Sequence, residues 1–197
     1  MLKKNNNLGF KLFSKVIKLA GNIWFGGKVY RNEYIPINGP CILAGNHLSN
    51  YDSYMLYKGT KRTLYSIGKK ELLEGKFGWF FKIMNVIGVD RNNKNPEAKK
   101  KAIEILNKGN VLVIFPEGTY HKKELLLPFK PGAISFAEKT KAPIIPFAIK
   151  GPWKFRSHPK IVFGKPIYID KINAKDKVKY LEDIVRKMLI KLEKTSK

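Results

Sequence analysis

The sequence predicts an α/β fold, a single-domain sandwich with a largely parallel central sheet flanked by helices, plus an N-terminal amphipathic helix. Three observations lead to this prediction. Short apolar runs alternate with longer segments of helical periodicity. The run NVLVIFP, residues 110–116, is apolar and rich in β-branched residues, as expected of a strand buried on both faces. The chain of 197 residues is long enough for one core, and it shows no internal repeat or low-complexity linker.

The N-terminal residues form an amphipathic pattern. Lys11, Lys15 and Lys18 recur at helical spacing beside a broad apolar face. That face comprises Leu12, Phe13, Val16, Ile17, Leu19, Ala20, Ile23 and Trp24. A basic stripe beside such a face is typical of a helix in a membrane interface, although a helix packed on its own domain shows the same pattern, and one helix can do both. We therefore divide the chain into a membrane-interface segment, residues 1–30, and a main domain, residues 31–197.

The elements of the main domain follow in order. The predicted strands are PCILAG (40–45), TLYSIG (63–68), VIGVDR (86–91), NVLVIFP (110–116), PIIPFAIKG (143–151) and one or two strands in KIVFGKPIYI (160–169), the last toward the sheet edge. The predicted helices are residues 50–58, a glycine-interrupted segment 69–88, and residues 96–109, 131–142 and 176–194. Asn95 followed by Pro96 predicts a cap with proline at the first helical position.

The composition narrows the class of protein. A formal charge of +24 and a pI near 10.0 attract polyanions: nucleic acid, an anionic membrane or an acidic carrier protein. Most of the excess is lysine, however, and a genome-wide bias toward Lys and Asn would produce it without any ligand. The single cysteine, Cys41, excludes an internal disulfide and a cysteine zinc cluster, and its apolar neighbours predict an inert buried thiol. Neither a membrane-spanning segment nor a signal peptide is predicted.

Polar residues follow three of the predicted strands, where ligands gather in open α/β sheets. His47 and Asp52 follow the first strand, Asp90 and Arg91 the third, and FPEGTY the buried run. A neutral imidazole is a natural base near neutral pH, and a carboxylate behind it fixes its tautomer. This spacing is also compatible with an ordinary surface histidine. Ser49 lacks a G-x-S-x-G turn, so we expect a loop or capping role for it and no covalent intermediate.

Several cations lie near the same strand ends. Lys69, Lys70, Arg91 and Lys130 follow strands or precede helices, where they could hold a phosphate, and arginine is best suited to a bidentate grip. For any one lysine taken alone in so basic a chain, a solvated surface role is the expected one. Glu117 adds a carboxylate, and the glycine after it lets backbone amides approach a ligand.

The motifs together resemble those of the glycerolipid acyltransferases, the family of 1-acylglycerol-3-phosphate (lysophosphatidic acid) acyltransferases. NHLSNYD resembles the family's N-H-x4-D block, and FPEGT its F-P-E-G-T-R block. VIGVDR is similar to the block with a phosphate-binding arginine, APIIPFAI to the proline-containing block, and KKELLEGKFGWFFK to the stretch after the first block. The blocks stand in the family's order between about residues 35 and 170.

The resemblance implies an activity. His47, oriented by Asp52, would deprotonate the acceptor hydroxyl, which then attacks an acyl thioester with no metal, cofactor or covalent enzyme intermediate. Substrate-binding residues carried over from the motifs are Asn46, Lys69, Arg91, Glu117, Gly118, Thr119 and Lys130. The implied partners are acyl-carrier protein or acyl-CoA as donor, a lysophospholipid acceptor and an anionic membrane surface, with no nucleic acid. The implied location is peripheral, on the cytoplasmic face of the cell membrane.

One departure from the family pattern concerns the acceptor. The family block continues with arginine after threonine, but this chain has Tyr120 and His121. Lys122 or Lys130 could substitute for the missing cation, or the acceptor could be another lysophospholipid or hydroxylated lipid. A non-catalytic basic module that binds nucleic acid or membrane remains the alternative of another class, but it rests on net charge alone.

Overall fold

The computed structural model describes residues 6–90, 95–120 and 125–194, and a single sheet of seven strands forms within them. The strands are β1 (Lys28–Tyr30), β2 (Cys41–Gly45), β3 (Leu64–Lys69), β4 (Val86–Val89), β5 (Val111–Ile114), β6 (Ile144–Lys150) and β7 (Lys160–Phe163). Their order across the sheet is β1-β7-β6-β2-β5-β3-β4. The first strand of the main domain therefore lies at the centre of the sheet, between β6 and β5.

The sheet is mostly parallel, which confirms the predicted fold class. Only the β6–β7 pair is antiparallel among the six pairings, and it aligns Phe147 with Phe163 and Lys150 with Lys160. The edge strand β1 pairs in parallel with β7 and was not predicted, because three residues after a helix carry too little periodicity to identify a strand. As a result β7, expected toward the edge, lies one strand inside it.

Helices cover both faces of the sheet. They are α1 (Asn6–Trp24), α2 (Asp52–Gly59), α3 (Glu71–Glu74), α4 (Gly78–Ile83), α5 (Pro96–Asn107), α6 (Gly132–Thr140) and α7 (Lys177–Lys194). One apolar core contains side chains of α5, α6 and α7, and the other contains side chains of α1 and α2. Strand β2 supplies both cores, Ile42 to the first and Leu43 to the second, because successive side chains of a strand point to opposite faces.

One predicted helix is divided in the structure, and another begins where predicted but lacks the expected side-chain cap. The segment 69–88 contains two short helices, α3 and α4, with residues 75–77 between them. The first residue of α4, Gly78, lies so close to α3 and the residues after it that an added Cβ would be 2.2 Å from the carbonyl oxygen of Leu73, an approach that only glycine allows. Asn95 precedes α5 and Pro96 opens it, as predicted, but the Asn95 side chain makes no cap hydrogen bond. Instead its amide exchanges hydrogen bonds with the backbone of Asp90. None of the described helices is long and apolar enough to cross a bilayer.

Candidate active site

The candidate site lies where two neighbouring strands end. Strands β2 and β5 are adjacent and parallel, with Ala44 opposite Ile114. Strand β2 leads into α2 on one face of the sheet, whereas β5 leads to α6 on the other. Strand ends whose connections depart to opposite faces leave a crevice between them, where ligands of open α/β sheets bind. His47 enters this crevice from β2 and Glu117 from β5.

The structure brings His47 and Asp52 into contact. Nδ1 of His47 lies 2.7 Å from Oδ2 of Asp52. The carboxylate is completely buried, whereas 18% of the histidine side chain is exposed. A carboxylate at this distance favours the tautomer with the proton on Nδ1 and leaves Nε2 available to accept a proton.

Backbone groups of the same turn hold Asp52 in place. The N–H groups of Leu48 and Ser49 donate to Oδ2 at 2.7 and 3.0 Å, so one carboxylate oxygen receives three hydrogen bonds. Oδ1 is buried and makes no hydrogen bond within the described residues. The helix predicted from residue 50 begins at Asp52 because the preceding residues form the loop that wraps around this carboxylate. Ser49 has a loop role, with its Oγ accepting the N–H of Tyr51 at 3.3 Å.

Glu117 joins the two strand ends. Its Oε1 accepts the backbone N–H of His47 and its Oε2 that of Leu127, both at 2.7 Å. The residue is only 4% exposed. Both oxygens therefore bind backbone groups of the loops around the crevice, whereas the sequence predicted Glu117 to bind substrate.

Asn46 was likewise expected to bind substrate, but its side chain is completely buried. Its amide donates to the carbonyl oxygen of Ile149 and accepts the N–H of the same residue, each at 2.8 Å. This reciprocal pair ties the end of β2 to β6 immediately before His47. The amide is used for joining strands, a function that only the fold reveals.

Two aromatic rings flank the imidazole. Phe115 stacks on His47 with a ring separation of 4.0 Å and an angle of 18°, and Tyr120 presents its edge at 5.8 Å. Phe115 was not predicted as a site residue, although it belongs to the block FPEGT. Tyr120 is 50% exposed and borders the histidine in the position where the family pattern has arginine.

The predicted phosphate-binding residues are only partly assembled within the described residues. Gly118 has a φ of +75°, and a Cβ added there would lie 3.0 Å from Nζ of Lys130. Lys130 therefore lies over the FPEGT turn, and Thr119 is exposed beside it. Lys69 is exposed at the end of β3, and Lys70 pairs with Glu74 at 3.2 Å. Arg91, His121 and Lys122 lie outside the described residues.

An apolar cavity of about 330 Å³ opens beside His47. The rings of His47 and Phe115 line one end. The other end of the cavity is lined by Leu64, Met84 and Val86, which lie where β3 and β4 begin. Between them, side chains from α1, α2 and α4 form the wall, with Ile17, Tyr57 and Phe80 among them. The cavity thus runs along the strands, from the crevice at their carboxyl ends toward their amino ends.

Helix α1 packs on the domain with one face and exposes another. Phe10 is buried and Phe13 stacks edge-on against Phe80 at 5.9 Å. The exposed apolar residues of the helix are Leu8, Leu12, Val16, Leu19, Ile23 and Trp24. Both interpretations of the N-terminal pattern thus have a structural counterpart, a packed face and an apolar face left open to solvent.

The described residues contain no group of three or more His, Cys, Asp or Glu side chains that could hold a metal ion. Cys41 is completely buried, and burial raises the pKa of its thiol to about 11, although the charge of Arg62 opposes this effect. The thiol is therefore protonated and inaccessible near neutral pH, as the sequence predicted.

Comparisons with known proteins agree on one family. Residues 27–150 match the family model described as Acyltransferase. The chain is 30% identical over 166 residues to the 1-acyl-sn-glycerol-3-phosphate acyltransferase of Bacillus subtilis, covering 81% of this chain and 82% of that protein. It is also 30% identical over 149 residues to the chloroplastic acyltransferase BAT2 of Brassica napus, covering 66% of this chain but only 41% of that protein.

A solved structure shares the fold. The crystal structure of the 1-acyl-sn-glycerophosphate (LPA) acyltransferase PlsC from Thermotoga maritima superimposes with a TM-score of 0.75 and 26% identity. The match covers 98% of this chain and 84% of that one. The family segment, residues 27–150, includes NHLSNYD, VIGVDR, FPEGT and APIIPFAI.

Proposed function

The chain belongs to the acyltransferase family, and we propose that it transfers a fatty acyl group from a thioester to the 2-hydroxyl of 1-acylglycerol-3-phosphate, which gives phosphatidic acid. The donor is acyl-carrier protein or acyl-CoA. The observation that carries the proposal is the 2.7 Å contact between His47 and Asp52 at the mouth of an apolar cavity. An activated base beside an apolar cavity suits a reaction between a hydroxyl and a fatty acyl group.

The proposed chemistry requires one base. Nε2 of His47 takes the proton of the acceptor hydroxyl while the oxygen attacks the thioester carbonyl carbon. The tetrahedral intermediate collapses, its carbon–sulfur bond breaks, and the leaving thiolate takes the proton from Nε2. Asp52 stabilises the imidazolium that exists between these two transfers and keeps the ring in one orientation. No atom of the enzyme becomes acylated.

Other residues of the crevice act through His47. We assign Glu117 and Asn46 positioning roles, because their side-chain atoms bind backbone groups that fix the end of β2. Phe115 supports one face of the imidazole. A base whose backbone and ring are both held loses less entropy on reaching the reactive geometry.

For the acceptor phosphate we propose Lys69, Arg91 and Lys130, with Gly118 and Thr119 shaping the turn beneath it. Support comes from Lys130, whose ammonium group lies over the FPEGT turn. Because Tyr120 replaces the family arginine, the second candidate is the same reaction on another lysophospholipid. Tyr120 lies beside the imidazole and carries no positive charge, which favours an acceptor other than lysophosphatidic acid.

The apolar cavity is the proposed site of the transferred acyl chain. Its lining is chiefly aliphatic and aromatic, and it begins at the imidazole that activates the hydroxyl. Burial of methylene groups there would contribute about 0.8 kcal/mol each. The depth of the cavity would then determine which chain lengths are accepted.

We further propose that the enzyme is peripheral on the cytoplasmic face of the cell membrane, with residues 1–30 as the interfacial segment and 31–197 as the catalytic domain. The exposed apolar face of α1 supports this proposal, because six large apolar side chains of one helix are exposed to water. Contiguous exposed apolar surface of this kind marks a membrane or protein contact. The cavity wall formed by Ile17 would place the acyl site next to the bilayer.

The first experiment is acyl transfer by the purified chain with both donors and a panel of lysolipids, beside the His47→Ala variant. Turnover of lysophosphatidic acid by the wild type, and its near-complete loss in the variant, is the expected result. Turnover confined to another lysolipid would move the acceptor and keep the chemistry. If no combination of donor and acceptor is turned over by folded wild-type protein, the proposed function is wrong.

A further inference from the structure

A second pocket lies between α1 and the turn that joins α2 to β3. It has a volume of about 330 Å³, and Thr60 and Lys61 form one side of it. Strands β2 and β3 run in the same direction. The turn precedes β3, at the amino ends of the strands, whereas His47 follows β2, at their carboxyl ends. The pocket is therefore separate from the crevice in which the reaction is proposed.

The pocket is strongly basic. Four lysines line it: Lys11, Lys15 and Lys18 from α1, and Lys61 from the turn. None of the described residues that line it is acidic. The guanidinium of Arg62, which also lines the pocket, instead donates to the carbonyl oxygens of Pro36, Gly39 and Gly109 at 2.6–2.8 Å.

The lysines repel one another across the pocket. Burial lowers the pKa of Lys18, and the positive charges of Lys15 and Lys61 lower it further. Nζ of Lys18 makes one long hydrogen bond, 3.4 Å, to the carbonyl oxygen of Thr60. An anion in this pocket would relieve the repulsion and accept hydrogen bonds from several ammonium groups.

The surroundings of the pocket indicate the source of the anion. Along α1, Leu12, Val16 and Leu19 each directly follow one of the pocket lysines, so the exposed apolar face and the basic stripe are adjacent sides of the helix. A helix with this face in a bilayer keeps its flanking lysines at the level of the lipid phosphates. Free phosphate in solution would need no such neighbouring face.

We propose that this basic pocket binds the phosphate of an anionic phospholipid headgroup, as a lipid site distinct from the acceptor site. The proposal rests on the membrane association included in the proposed function. Its consequence is orientation: one bound headgroup would fix the rotation of α1 about its axis at the membrane and hold the mouth of the apolar cavity toward the bilayer.

The test uses the full chain and dihexanoyl phosphatidylglycerol below its micelle concentration, because this lipid is neither the proposed acceptor nor the product. Backbone amide NMR shifts report where it binds. The decisive variant is Lys18→Gln/Lys61→Gln, and the charge-matched control is Lys76→Gln/Lys82→Gln, two exposed lysines outside the pocket near α4. Lys18→Arg/Lys61→Arg retains the charges.

We expect saturable shifts at Ser14, Thr60 and Lys61, and an affinity loss of about tenfold or more in Lys18→Gln/Lys61→Gln from two lost charge-assisted hydrogen bonds. The affinity of the control should stay within about twofold of wild type, because exposed lysines outside the pocket contribute little to binding. The affinity of the arginine variant should stay within about the same range, because it keeps both charges in the pocket. Equal losses in the control would mean diffuse attraction and overturn the proposal. So would shifts confined to the crevice.

A titration with inorganic phosphate distinguishes the two sources of the anion. We expect vesicles containing phosphatidylglycerol to compete with the short-chain lipid, and inorganic phosphate to compete weakly. Strong binding of inorganic phosphate without competition by vesicles would overturn the lipid assignment. Acyl transfer is measured separately, so an inactive wild type would refute the proposed function while this titration still reports on the pocket.

Discussion

The backbone N–H of His47 donates to Oε1 of Glu117 at 2.7 Å, across 70 positions of sequence. The other oxygen of the same carboxylate accepts the N–H of Leu127. One buried side chain therefore sets the distance between the loop after β2 and the segment after β5. His47 and the FPEGT turn are therefore joined through a single carboxylate.

Asp52→Asn should leave the fold largely intact and lower kcat by about a hundredfold to ten thousandfold, because an amide favours the wrong histidine tautomer and cannot stabilise the imidazolium. Single-turnover acyl transfer measures the effect. Thermal unfolding of the same sample is the control, since Asp52 is buried. A kcat within a factor of about two of wild type would remove Asp52 from the mechanism.

Glu117→Gln should destabilise the protein by about 1–3 kcal/mol, because the new NH₂ group faces a backbone N–H of His47 or Leu127 and leaves it unpaired. Catalysis should fall as well, since the displaced loop carries the base. Urea unfolding and kcat are the measurements. Glu97→Gln, at an exposed glutamate, serves as the matched control and should change neither.

Val86→Phe should shift the preference toward shorter acyl chains, because Val86 lines the end of the apolar cavity away from His47. Competition between donors of different chain length gives the preference directly. Val162→Phe places the same change on a partly buried strand residue in contact with the other core. An identical preference in wild type and Val86→Phe would show that the chain lies elsewhere.

Leu12→Gln/Leu19→Gln should weaken binding to anionic vesicles by at least about tenfold, because burial of each leucine contributes about 1.5–3 kcal/mol. These side chains are 60% and 64% exposed, so their replacement should leave the domain folded. Vesicle sedimentation measures the partition. The control Ile37→Gln/Ile190→Gln removes two exposed isoleucines away from α1, and an equal loss there would contradict an interfacial role specific to α1.

Glu182 should contribute stability that depends on pH. Burial raises its pKa, but hydrogen bonds from Lys179, the N–H of Phe129 and Arg186 outweigh burial and hold the pKa below 4.5. The folded state therefore binds this proton less readily than the unfolded state, and the contribution is present above pH 4.5 and lost as the pH falls below it.

Unfolding free energies of wild type and Glu182→Gln should accordingly differ most near neutral pH and converge under acid conditions. Denaturant titrations at several pH values provide this comparison. Glu193→Gln, which removes a more exposed partner of Lys150, is the control for loss of a surface ion pair. A difference that stays constant down to acid pH would contradict the assigned hydrogen bonds.

The sequence determined the local structure of this protein. The alternation of buried runs and helices predicted the fold class, now confirmed, and the motif order predicted the family, also confirmed. The contact of His47 with Asp52 was within reach of the same reasoning, because Asp52 lies only five positions after His47 and a short loop folds back into a helix. Their catalytic roles stay predictions.

Only the tertiary structure decided which side chains join the ends of neighbouring strands around His47. Glu117 binds the backbone of His47 across 70 residues, and Asn46 binds Ile149 across 103. No periodicity specifies these contacts, since they depend on β2 lying between β5 and β6. The apolar cavity, the edge strand β1 and the basic pocket likewise depend on how distant segments of the chain pack together. Sequence patterns report the conformation of neighbouring residues, whereas strand order is set by the packing of both cores at once.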